Sequence, residues 1–378
     1  MSHYLKHLSK RRTFLKTALA LSTNVLLTNS LPSIASQTND IYSEMEYELK
    51  QRAKFHMVFA SPYINENAAY SPHMHLQLKN NIQDLSNGQI YVEVHDHGKL
   101  GVGTELMSSV SRGNISAALV SASNLSPIAP ELDLLNIPFW SAQRQKYINL
   151  VTSQTWDNLV LKKIRMQGRI DVLFHHVTGA RTATTTKGYG KTIKTPTDIA
   201  KVQFRIPASK SLGVFYQLAG ATPIKARWKN VALLAKANRL NALDPSIIGL
   251  YNGPNNLKEH LGVISEIESV QDGWMTVVSQ QWYQTLPSKL QTAIKEAADK
   301  TFTEHLENIL QIEQTCQQEL MALGTQLYQP TQDEKSQWID CCGHQRQEWS
   351  PIKRALLGDE KLFAHLVEAT QINNGFTL

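Results

Sequence analysis

Arg205 is placed where a guanidinium could grip an anion. It lies in the run Thr195-Pro-Thr-Asp-Ile-Ala-Lys-Val-Gln-Phe-Arg-Ile-Pro-Ala-Ser209. Residues 195–198 read as a turn or helix start. Residues 201–206 read as a short strand, with Val202, Phe204 and Ile206 alternating with Gln203 and Arg205. Pro207 ends the ladder because it has no N–H to donate. Arg205 is therefore expected at the carboxyl end of a strand, where ligands bind in open α/β sheets. A guanidinium there can hold a carboxylate through two parallel hydrogen bonds. Taken alone, an arginine on a strand is more often a surface residue or half of an internal ion pair.

Other chemistry-bearing residues carry less. His73 with His75, and His95 with His97, form two His-x-His pairs that on a strand would share a face and could bind a metal. His73 and His75 fall at an expected helix start, where such residues diverge, and polar surface histidines are the plainer reading. Cys341-Cys342-Gly-His344 matches no common zinc spacing. Cys316 is the third cysteine, and a bridge from it to the later pair stays open in an oxidising compartment. Gly188-Tyr-Gly-Lys-Thr192 resembles the end of a phosphate loop, but Thr185 stands where the first glycine would be needed. Gly-x-Ser-x-Gly, His-Glu-x-x-His, Cys-x-x-Cys and Cys-x-x-Cys-His are all absent, so no cofactor or metal is expected.

The elements that must position Arg205 follow from the hydrophobic pattern. Strands are expected at 54–59, 89–95, 115–120 and 171–175, alternating with helices near 70–85, 105–111 and 141–167. This β-α-β-α-β rhythm implies a mainly parallel sheet covered by helices. Beyond Val177-Thr-Gly-Ala-Arg181 a second domain begins, with helices at 211–219 and 230–237. A strand at 275–278 is expected to return to the first domain. After Leu286-Pro287, apolar residues recur at helical spacing as far as Gly324, a plausible glycine just past the helix end. Such a helix would be roughly 55 Å long, too long for one small domain, so it is expected to brace both.

The first residues read as an address. Lys10-Arg-Arg-Thr-Phe-Leu-Lys16 matches a twin-arginine export signal, a modest apolar stretch follows, and Ser33-Ile-Ala35 suits cleavage after Ala35. An uncleaved anchor or an ordinary Sec signal is the alternative. Removing 35 of the 378 residues leaves 343, enough for two domains with real cores. Lys6, Lys10, Arg11, Arg12 and Lys16 leave with the leader, so the remainder holds 33 positive against 32 negative charges, a net charge of +1. Nothing in that balance suggests a nucleic-acid partner or an anionic membrane surface.

The order of motifs resembles the periplasmic solute-binding proteins of TRAP transporters, the DctP-type family. The matching pieces are Asn87-Gly-Gln-Ile-Tyr-Val-Glu-Val94, Gly98-Lys-Leu-Gly101, Pro130-Glu-Leu132, Ile137-Pro-Phe139, Gly179-Ala-Arg-Thr-Ala-Thr-Thr-Thr186, the Arg205 run, Gly220-Ala-Thr-Pro223 and Leu286-Pro-Ser-Lys-Leu-Gln291. They span about Phe55 to Ala369. The resemblance implies an α/β, two-lobed periplasmic binding protein (type II-like, TRAP class) with a long helix bracing both lobes. It implies a signal peptide at 1–35, lobe I at 36–178 with 272–300, lobe II at 179–271 with 301–345, and tail helices at 346–378. A small organic acid would bind between the lobes and pass to TRAP membrane permease subunits, after export of the protein by the Tat machinery to the periplasm. Arg205 matches the arginine that pairs with the ligand carboxylate, and Arg181 a second arginine that joins it. Trp228 falls where an aromatic packs on the ligand. Ser121, Ser61 and Asn124 are candidates from lobe I.

One stretch departs from the family pattern. Ala237-Asn-Arg-Leu-Asn-Ala-Leu-Asp-Pro245 puts Asp244 where a ligand-binding asparagine is usual. A carboxylate beside a bound carboxylate is unfavourable unless a cation or proton intervenes. Asp244 is therefore expected either to pair with Arg181 or to take a hydroxyl or amino group of the ligand, unless it only caps a turn before Pro245. The alternatives to a transport subunit are a ligand-sensing partner of a membrane receptor and an exported enzyme.

Overall fold

The computed structural model describes residues 44–64 and 74–378. Residues 44–51, the end of a first compact unit, are helical; the second unit, 52–378, carries the fold. The export signal and His73 lie outside the described residues.

The first sheet has the order β2-β1-β3-β10-β4, built from β1 (Phe55–Ala60), β2 (Ile90–His95), β3 (Ala117–Ser121), β4 (Ile170–His176) and β10 (Trp274–Ser279). β1 is parallel to β2 and β3, as the β-α-β rhythm predicts. β10 is antiparallel to both β3 and β4, so the sheet is mixed. In β2, Ile90 and Val92 are buried while Tyr91 and Glu93 are half-buried, which is the expected period-two pattern. The preceding helix Met74–Leu85 stops at Asn87-Gly88, both with positive φ, and Gly88 N–H closes the turn on Gln83 O at 2.8 Å.

The second sheet has the order β11-β9-β5-β8-β6-β7. Its strands are β5 (Ala183–Thr186), β6 (Gln203–Ile206), β7 (Thr222–Lys225), β8 (Ala242–Leu243), β9 (Leu261–Ser265) and β11 (Gln326–Tyr328). Most are only two to four residues long, and the sequence pattern announces β6 alone. Ahead of β6, Thr195 and Asp198 form a reciprocal capping box around the 3-10 turn Pro196–Ile199, which sets the entry to the strand.

Two crossings join the sheets. The chain leaves β4 through Val177–Arg181 and returns to β10 through Val270–Gly273. The crossings are laced by Arg181 N–H to Val270 O at 2.7 Å and Asp272 N–H to Gly179 O at 2.9 Å. Gly179 has φ +92°, where any side chain would be strained, and a Cβ there would also displace Glu313 Oε1. Glu313 is ion-paired with Arg144 over this point.

The long helix Ser288–Ala322 has 35 residues and ends beside Gly324, whose φ is +88°. Its first half buries Leu290, Ile294, Phe302 and Leu306 in the core that runs through the first sheet and on to Phe204 and Ile206. Its second half buries Ile309, Cys316 and Leu320 in a separate core with Leu243, Leu250 and Ile264. The helix thus braces both lobes. All three cysteines are free thiols: Cys316 lies in the second core and Cys342 in the first, so no bridge joins them. Among the described residues no helix is long and apolar enough to cross a membrane.

Candidate functional site

A half-open cleft with a cavity of about 30 Å³ lies where the two crossings meet the sheets. Tyr63, Ser121, Asn124 and Trp274 line it from the first sheet and its loops. Arg181, Arg205, Pro207, Trp228, Pro245, Gly249 and Asp272 complete it.

Arg205 is the third residue of β6, the strand that Pro207 terminates, and is 3% exposed. Its Nε and Nη2 both donate to Ala226 O, at 3.2 and 3.1 Å. Its guanidinium carbon lies 5.1 Å from the centre of the Trp228 ring, a cation–π contact that fixes the plane of the fork. These anchors occupy one edge of the guanidinium. Its Nη1 has no hydrogen-bond partner among the described residues. Burial pushes Arg205 down to about 10, with neighbouring Arg181 adding to the fall and Asp244 and Asp272 opposing it. A buried cation with a free donor edge gains from an anion placed there.

Arg181 is differently placed. Its Nη1 lies 3.1 Å from Asp244 Oδ1 and its Nη2 2.7 Å from Asp272 Oδ1; Nη2 also donates to Ser123 Oγ at 3.1 Å. Burial lowers its proton affinity, but the two carboxylates outweigh that and hold it above the usual arginine value. Asp244 is wholly buried, and burial pushes its carboxyl up while Arg181 and Arg205 pull it down. Its Oδ2 has no hydrogen-bond partner among the described residues. Asp272 is better satisfied, since Oδ2 accepts from Ser246 N–H and Ser246 Oγ, each at 3.2 Å.

A buried polar chain ties this centre to the Arg205 strand. Ser123 Oγ donates to Asn136 Oδ1 at 3.0 Å, and Asn136 Nδ2 donates to Asp133 Oδ1 at 2.9 Å. Asp133 then accepts from Ser209 Oγ and from Ser211 N–H, the latter at 2.8 Å. Ser209 caps the helix Lys210–Leu218 that follows β6. The loop after Arg205 is therefore held through side chains that reach back to Arg181.

Of the residues singled out by the sequence, Arg205, Arg181, Trp228, Ser121 and Asn124 come together in the cleft wall. Ser121 caps the short helix Ala122–Leu125 and accepts from Asn124 N–H at 3.3 Å. Asp244 stands behind Arg181, in the ion pair that is one of its two expected arrangements. Ser61 is buried outside the wall, its Oγ accepting from Tyr63 N–H at 3.2 Å. Asp272, Tyr63 and Trp274 went unread. Gln271-Asp-Gly273 immediately precedes the returning strand, which Trp274 opens, and that position was the available signal. Among the described residues no cluster of three or more His, Cys, Asp or Glu could hold a metal ion.

Residues 65–350 match the sequence pattern of the bacterial extracellular solute-binding proteins, family 7, or DctP. The chain belongs to this family. This family 7 protein is 22% identical over 280 residues to the C4-dicarboxylate-binding protein DctB of Bacillus subtilis, a match covering 72% of this chain and 76% of that one. A TRAP periplasmic solute-binding protein from Shewanella oneidensis, solved with bound succinate, superposes with a TM-score of 0.74 at 20% identity, covering 84% of this chain and 100% of that one. The sugar acid binding protein DctPAm from Advenella mimigardefordensis, in complex with galactonate, gives 0.72 at 16% identity, covering 84% and 97%. The family 7 protein thus has the two-lobed α/β fold of TRAP periplasmic solute-binding proteins.

Proposed function

We propose that this protein is the ligand-capturing subunit of a TRAP-type transporter. It takes up a small organic acid in the interlobe cleft through an ion pair with Arg205, and delivers it to membrane permease subunits. The observation that carries the reading is Arg205: a buried guanidinium in the cleft wall, anchored on one edge by Ala226 O and on one face by Trp228, with no hydrogen-bond partner for Nη1 among the described residues. Relatives solved with succinate and galactonate support an acid as the cargo. The twin-arginine motif at Arg11-Arg12 supports Tat export to the periplasm.

In this reading the open cleft is wet and Arg205 is hydrated. Docking of the ligand carboxylate is followed by hinge closure about the two crossings. Closure expels water and strengthens the ion pair. The test is a thermal-shift screen of ligand-stripped protein against small organic acids, with hits measured by calorimetry. A ligand present at 100 times its Kd adds about 2.7 kcal/mol of stability. Arg205→Ala should lose about 2–5 kcal/mol of binding, roughly 30- to 4,000-fold. Near-parent affinity in a folded Arg205→Ala variant would refute the Arg205 assignment.

A further inference from the structure

The charges around the cleft carry a statement about the cargo, and it rests on the solute-binding reading above. Four charged side chains meet there, all at most 3% exposed: Arg181, Arg205, Asp244 and Asp272. Their formal charges cancel before any ligand arrives. Yet the two arginines are not equivalent. Arg181 is held between two carboxylates, at 3.1 Å and 2.7 Å, and its remaining Nη2 donor goes to Ser123. Arg205 pairs with no carboxylate and spends two donors on one backbone carbonyl.

We infer that the cleft takes a ligand bearing one carboxylate, bound at Arg205, and that Asp244 and Asp272 discriminate against dicarboxylates. A second ligand carboxylate approaching Arg181 would become the third around a single guanidinium. Like charges that close disfavour one another strongly where water is scarce. Asp272 cannot easily swing aside, because Ser246 holds its other oxygen from both backbone and side chain. Asp244 has no exposed surface through which to leave. Among the described residues the rest of the wall offers no further cation: it is Tyr63, Trp228 and Trp274, with Pro207, Pro245 and Gly249, and Ser121 and Asn124 as neutral polar groups. The ligand body that suits it is uncharged, with a flat apolar or sugar-like face for the aromatic rings. Trp274 Nε1 is buried without a hydrogen-bond partner among the described residues, a donor for a neutral oxygen on that body.

The experiment compares shape-matched pairs that differ by one charge, using the full chain stripped of bound ligand. The pairs are succinate with succinamate, glucarate with gluconate, and terephthalate with 4-carbamoylbenzoate. Calorimetry should find the singly charged member of each binding pair at least tenfold tighter. Asp244→Asn removes one buried negative charge, which helps a dianion more than a monoanion, so the gap within a pair should close by at least threefold. The parent protein decides the matter even if that variant does not fold. A dicarboxylate that binds the parent as tightly as its partner, or more tightly, overturns this inference and leaves the solute-binding reading standing. No binding by any acid of a broad panel overturns both.

Discussion

Glu105 and Arg227 meet at the rim of the cleft, with Oε1 and Nη1 3.3 Å apart. Glu105 belongs to the helix Gly103–Ser111 between β2 and β3 of the first sheet. Arg227 follows β7 of the second sheet and directly precedes Trp228 in the cleft wall. The pair is a bridge between lobes, made next to the ligand wall and open to solvent.

An exposed ion pair contributes little to stability, about 0–1 kcal/mol, so its effect should be kinetic. Glu105→Ala and Arg227→Ala should leave the melting temperature within about 2 °C of the parent, and should speed ligand release a few-fold at low ionic strength. At 1 M salt, where the Debye length is about 3 Å, parent and variants should converge. Stopped-flow release rates that agree at low salt would remove the clasp from the mechanism.

Arg205→Lys should bind nearly as poorly as Arg205→Ala. The Nε–Nη2 edge that grips Ala226 O, and the flat face over Trp228, have no counterpart in an ammonium. Trp228→Ala keeps the cation but frees its plane, and should lose about 0.5–2 kcal/mol of binding. Calorimetry that ranks the lysine variant with the parent would show that charge alone suffices.

Asp133 should matter for stability more than its distance from the ligand suggests. Its carboxylate collects Ser209, Ser211 and Asn136 within the core. Asp133→Ala strands those buried donors and should cost about 1–3 kcal/mol, with Asp133→Asn intermediate. Denaturant midpoints for the two variants check the order. Equal midpoints for parent and alanine variant would mean that solvent already serves these groups.

Four buried or half-buried histidines set the response to mild acid. Burial pushes His175 from 6.5 to about 3, and His75, His305 and His344 to about 4. The unfolded chain takes up their protons near 6.5 while the folded chain refuses them. Their stabilising contribution is thus complete above 6.5 and is lost as the pH falls towards the folded values. Asp244, Glu266, Asp171 and Asp299, raised by burial, act in the opposite sense, so the histidine contribution is read as the difference between parent and histidine variants from pH 7 to 5.5. Stability should fall there, each histidine adding a slope of up to about 1.4 kcal/mol per pH unit. His175→Gln, which can still accept from Trp156 Nε1, should flatten it. A midpoint independent of pH across that window would contradict the assignment.

The first sheet, the long helix and the place of Arg205 at a strand end were legible because each rests on a local rule: alternation in β2, a helical repeat over 35 residues, a proline after a strand. The second sheet was mostly hidden. β5 is Ala-Thr-Thr-Thr, wholly buried, with threonine hydroxyls bonded to β9 and to loop carbonyls, so no apolar alternation marks it. β8 has two residues, and no periodicity can be read from two. In the site, the pairing of Asp244 with Arg181 was one of the alternatives that the family resemblance and the charge argument left open. Asp272 could not be read, because it joins them from the other crossing, 91 positions beyond Arg181 in the chain.

The returning strand β10 has a consequence for synthesis. It lies inside the first sheet, between β3 and β4, and β4 has no other neighbour there. While the ribosome has released only as far as the first crossing, the first lobe is missing an internal strand. Residues 183–265, which supply five of the second sheet's strands, emerge before that gap can be filled. The second sheet in turn waits for β11 and the end of the long helix. Neither lobe is a contiguous piece of the chain, so neither can be cut out and expected to stand alone. The closing of the two sheets is one late event, completed only after the whole binding cleft has been translated.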